Sequence, residues 1–66
     1  MLGEHIEEVI KLVEADKKRK VTVADVDEIV ESVLDIAYAQ GLIPEAELDM
    51  AHVHVTAQTM YLANLS

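Results

Sequence analysis

Apolar residues recur along this chain at helical rather than strand intervals, in three stretches of different cross-section. In the first, Leu2, Ile6, Val9, Ile10 and Val13 follow one another at spacings of three and four, with Glu4, Glu7, Glu8, Lys11 and Glu14 outside the narrow stripe. The spacing predicts a helix over about 3–18, ending where Lys17, Lys18, Arg19 and Lys20 set cations against the carbonyl end of the helix dipole. In the second, Val26, Ile29, Val30, Val33, Leu34, Ile36 and Ala37 cover roughly 160° of a wheel drawn at about 100° per residue, the mark of a central core helix over about 23–40. Thr22 supplies its N-cap, Asp25 three residues on completes the signature of a capping box, and Val21 with Val26 forms the accompanying staple. Gly41 offers a left-handed position after the last turn, with Leu42 folding back as the hydrophobic contact of a Schellman ending.

The third stretch behaves differently. Pro44 suits the first turn of a helix over about 44–64, with Glu45, Glu47 and Asp49 near its positive end, and the short link from the second helix implies an antiparallel hairpin. Its apolar residues then divide between two faces. Leu48, Ala51, Val55 and Leu62 form one; Ala46, Met50, Val53, Ala57, Met60 and Tyr61 form the other. Glu47, His54 and Gln58 make a thin polar strip on one edge, and Glu45, Asp49, His52, Thr56 and Thr59 make a wet edge opposite. A helix on the surface of a bundle needs one apolar stripe, so two stripes call for cover on both sides. The first helix offers only a narrow seam for so broad a target. The expected architecture is therefore all-α: three helical segments in one domain, 1–66, that pair as a homodimeric helical bundle. Leu48, Met50, Ala51, Val53, Val55, Ala57, Met60, Tyr61 and Leu62 carry the self-association.

Length sharpens this expectation, because a 66-residue chain buries only roughly 60% of the surface it exposes when unfolded. The absence of cysteine removes disulfides, thiolate metal sites and thiol nucleophiles. The formal net charge is −8, and every charged side chain after Lys20 is acidic. Such a surface repels nucleic acid and anionic lipid and attracts basic protein partners. Asp27, Glu28, Glu31 and Asp35, spaced to share the side of the second helix opposite its core stripe, form an acidic ridge and the candidate partner contact. The opening residues carry neither a basic nor an apolar signal segment. The stretch from Met50 to Ser66 lacks charge but is too short and too often interrupted by polar residues to span a bilayer. A soluble, cytoplasmic protein is expected.

Candidate chemistry is sparse. Glu45, Asp49 and His52 share one helical edge at i, i+4 and i+7, but no further ligand joins them, so a solvated edge is the better reading and neither metal nor cofactor is expected. His52 and His54 point roughly 160° apart on a helix; His54, next to Gln58, reads as a polar contact at a subunit interface. Ser32 and Thr22 have no histidine nearby in sequence, and two glycines make no phosphate loop, so no catalysis is expected. Ala37, Gly41 and Leu42 have the spacing of a helix-turn-helix corner. However, the following helix carries Glu45, Glu47 and Asp49 and no base, which argues against DNA binding. What remains is a small acidic helical protein that acts by protein-protein interaction, as an adaptor, regulatory subunit or inhibitor. The alternative is an acidic nucleic-acid mimic, of the kind encoded by phages and mobile elements, that blocks a nucleic-acid-binding protein through the ridge.

Overall fold

All three segments form helices in the computed structural model, which describes residues 2–65. They are α1 (Leu2–Lys17), α2 (Val26–Ala39) and α3 (Leu48–Leu62), with a single 3-10 turn leading into α2 at Val23–Asp25 and another into α3 at Glu45–Glu47. Together they make a three-helix bundle of 34 × 22 × 17 Å. The middle helix dominates its core. Val26, Ile29, Val30, Val33, Leu34 and Ala37 of α2 are buried, against Ile6, Val9 and Ile10 of α1 and Val55 of α3, with Val21 and Ile43 added from the connections. Each aliphatic side chain removed from water in this way contributes about 1.5–3 kcal/mol, and α2 supplies half of them because its apolar arc is the widest.

Helix ends follow local chemistry. Thr22 is extended at φ −120°, ψ 174°, as an N-cap should be, and Val21 and Val26 are both buried, as the staple requires. After α2, Gly41 takes φ 73°, where a side chain would be strained. Its N–H donates to the Tyr38 carbonyl at 3.0 Å while Leu42 N–H reaches back to Ala37 at 2.9 Å, the two bonds of a Schellman motif. The same pair closes α3, from Asn64 (φ 59°) to Tyr61 and from Leu65 to Met60. Asparagine tolerates the left-handed region, which is why α3 stops at Leu62 rather than near residue 64.

Three expectations need correction. Leu42 makes the Schellman hydrogen bond but is 52% exposed; Ile43, buried at 7%, provides the apolar contact instead. Pro44 is extended (φ −70°, ψ 152°) and stands just before the 3-10 turn rather than inside the helix. Thr59, assigned to the wet edge, is fully buried, since on the wheel it stands next to Leu48 and Val55 on the core-facing side. Its hydroxyl has no hydrogen-bond partner among the described residues, whereas that of Thr56 donates to the His52 carbonyl at 2.7 Å.

The corner between α1 and α2 is held by one carboxylate. Asp25 is 2% exposed. Its Oδ1 accepts from Lys17 Nζ at 2.8 Å and Arg19 Nη2 at 3.2 Å; its Oδ2 accepts from Arg19 Nη1 at 2.8 Å, from the Thr22 N–H at 2.9 Å and from the Thr22 hydroxyl at 3.1 Å. Glu14 Oε2 takes the neighbouring Val21 N–H at 3.1 Å. Carboxylates thus satisfy the N–H groups of a turn in which Lys18 adopts φ 54°. The hydrogen bonds from Arg19 and Lys17 hold the Asp25 carboxyl well below the usual carboxylate range, and those two cations are shifted upward in return.

Asp25→Asn should lower the thermal midpoint by on the order of 10 °C, followed by circular dichroism. Because the folded-state pKa lies below the unfolded value of about 3.9, the Asp25 contribution is complete above about pH 4 and drains away as the pH falls below it, where the unfolded chain takes up the proton first. Acid titration of the Asn variant should lose that part of the slope. Thr59→Val, which replaces an unpaired buried hydroxyl with a methyl group of the same shape, should raise stability by about 1 kcal/mol in urea denaturation.

Candidate interaction surface

The bundle packs one side of α3 and leaves the other bare. Val55 is fully buried, and Leu48, Ala51, Met60 and Leu62 are partly buried against the core. These residues of the expected self-association set pack against their own chain, Met60 among them although the wheel groups it with Met50, Val53 and Tyr61. Met50 and Val53, each 68% exposed, Tyr61, 81% exposed, and the exposed Ala57 are the rest of that set and lie on the outer side, with Ala46. The division arises because α1 and α2 pack on the same side of α3 instead of one on each. From Met50 onward the described part of α3 carries no Asp, Glu, Lys or Arg, so the bare side is uncharged in a chain of net charge −8.

At its Met50 end the outer side opens into a groove between α3 and the start of α1, where Leu2, Leu42, Pro44 and Met50 contribute apolar wall and Glu47, His54 and Gln58 contribute polar groups. Sequence reading missed this groove. Its one clue was the apolar Leu42-Ile43 pair after the glycine stop, of which a single member was needed inside. His54 is exposed in the single chain.

The ridge residues Asp27, Glu28, Glu31 and Asp35 are all exposed, and among the described residues Glu28 is the one of the four with an ion-pair partner, Lys17 at 3.8 Å. Lys17 and Arg19 are engaged at Asp25, so two of the four cations expected at the end of the first helix are held by the carboxylate at the start of α2. Farther along, Glu31 and Asp35 of α2 line a shallow cleft with Tyr38, Asp49 and His52. Among the described residues no group of three or more His, Asp or Glu side chains is placed to hold a metal ion, and no helix is long and apolar enough to cross a membrane.

Comparison of the chain with protein-family models, with curated proteins and with solved structures finds no match.

A surface that bears unopposed acids along α2 and at the entry to α3 repels itself, and salt screens that repulsion more than it weakens the buried Asp25 pairs. The thermal midpoint should therefore rise by a few degrees between about 10 mM and 300 mM sodium chloride, and Asp35→Lys should flatten the dependence.

Proposed function

We infer that this protein works as a homodimeric interaction protein, an adaptor, regulatory subunit or inhibitor that acts through contact rather than through a reaction of its own. The observation that carries the reading is the outer side of α3, where Met50, Val53 and Tyr61 stand more than two-thirds exposed on a helix whose other side is already packed. With Leu42 and the two alanines, these side chains leave on the order of 500 Å² of apolar surface per chain, so pairing two copies removes on the order of 1,000 Å², the lower bound for a specific interface.

A second copy suits this face better than a charged partner does, because nothing on it answers a charge. Two chains that repel each other elsewhere can meet here without bringing like charges together. The ridge of α2 lies on another helix and stays in solvent on both copies, where it draws in basic molecules and turns acidic ones away.

Sedimentation equilibrium of the full chain tests the reading. The expected result is a reversible shift from the 7.3 kDa chain to twice that mass, with a dissociation constant on the order of 10 μM for an interface of this size. Val53→Glu, a charge placed on the face but away from the core, should return the protein to a monomer with its helical signal intact. A wild-type chain that stays monomeric at millimolar concentration rejects the reading.

A further inference from the structure

We propose that Tyr61 is the anchor of this self-contact and that its socket is the groove at the other end of α3 on the second copy, walled by Leu2, Leu42, Pro44 and Met50, with Glu47 and His54 on the rim. The proposal rests on the α3 pairing above and fixes its direction. Tyr61 is the most exposed of the large apolar side chains and the natural candidate to be covered. It follows Met50 by eleven residues, three helical turns, so the two share one strip of the helix about 16 Å apart along its axis. On the wheel Tyr61 leans from that strip toward the His54 edge, the edge on which the groove opens. A two-fold axis perpendicular to both helices pairs them antiparallel and keeps those edges on the same side of the interface. Each Tyr61 then arrives over the Met50 end of its neighbour, above the groove, and the dimer holds two identical sockets.

Chemistry and charge favour this pairing over the parallel one. The phenol ring buries against Leu42, Pro44 and the Met50 thioether, while its hydroxyl donates to the Glu47 carboxylate at the rim. Ala57, near the midpoint of the pair, lets the helices approach closely. A parallel arrangement would stack Tyr61 on Tyr61, leave the grooves open, and bring Glu45, Glu47 and Asp49 of both chains together at one end. Antiparallel pairing keeps those acid-bearing turns at opposite ends and opposes the helix dipoles.

The chain has no cysteine, so introduced thiols report the geometry. Chains bearing Tyr61→Cys and chains bearing Met50→Cys are mixed and treated with a thiol-specific cross-linker shorter than the about 16 Å that separates like positions in the antiparallel dimer. The mixture should give a cross-linked heterodimer of the two variants, and neither variant alone should cross-link to a comparable extent. Tyr61→Ala should weaken wild-type dimerisation about tenfold or more, the loss expected of a buried aromatic anchor, and Tyr61→Phe several-fold less. Cross-linking of Tyr61→Cys to itself, or no heterodimer from a protein whose wild type sediments as a dimer, overturns the anchor and leaves the self-association standing. A wild-type chain that never dimerises removes both.

Discussion

A carboxylate withdrawn from water keeps its charge only where hydrogen bonds replace the hydration it has lost, and it destabilises the fold wherever they do not. Asp25 meets the condition with five contacts from Lys17, Arg19 and Thr22, and those residues span the last position of α1, the left-handed turn and the cap of α2. The charge is therefore a joint: it is satisfied only when α1 ends at Lys17, the chain reverses through Lys18 and α2 begins after Thr22. Exit angle matters here because the apolar stripe of α1 is narrow. A stripe set by Ile6, Val9 and Ile10 stays in register with α2 and α3 only if the C-terminal end of α1 cannot swing. The corner thus fixes a helix with a narrow apolar stripe as one wall of the core.

With α1 fixed on the same side of α3 as α2, the third helix can be covered on one side alone. Its core side is nearly complete in Val55, Leu48, Ala51 and Leu62, and the one polar side chain there, Thr59, is buried without a hydrogen bond. A position next to Leu48 and Val55 on the wheel goes inside whatever its chemistry, because a helix cannot turn one residue out of its own packed side. The apolar outer side is the remainder of the same helix, left over once α1 and α2 have been placed.

The helices, the stops and the division of α3 into two apolar sides were legible in the sequence because each depends on local spacing: three- and four-residue periodicity, Thr22 with Asp25, Gly41 after α2. What escaped it depends on where distant residues meet. Nothing in Lys17-Lys18-Arg19-Lys20 marks Lys17 and Arg19 as partners of a carboxylate eight and six residues away, and helix-end cations were the simpler account. Leu42 and Ile43 are equivalent by composition, and only the direction in which the chain leaves Gly41 decides which is buried. On the wheel Thr59 borders both the polar residues His52 and Thr56 and the apolar Leu48 and Val55, and only the placement of α1 and α2 decides which side claims it. The site residues divide the same way. Periodicity put Met50, Val53, Ala57 and Tyr61 on one face, but the groove beside them exists because the start of α1 crosses near the Pro44 loop, a tertiary fact.

The outer side of α3 also bears on how a chain of net charge −8 could associate with itself at all. Doubling that charge in one particle is costly unless the acids of the two copies stay apart by more than a Debye length, about 8 Å at physiological salt. The ridge is on α2 and the entry acids are confined to the first turns of α3, so the stretch from Met50 to Tyr61 is the longest helical surface on which two copies can touch without bringing acids together. The antiparallel pairing proposed above would send the two sets of entry acids to opposite ends, a separation approaching the length of the helix. Segregation of charge from apolar surface along the sequence thus leaves a strongly acidic chain with an exposed helix side that bears no acid of its own from Met50 onward.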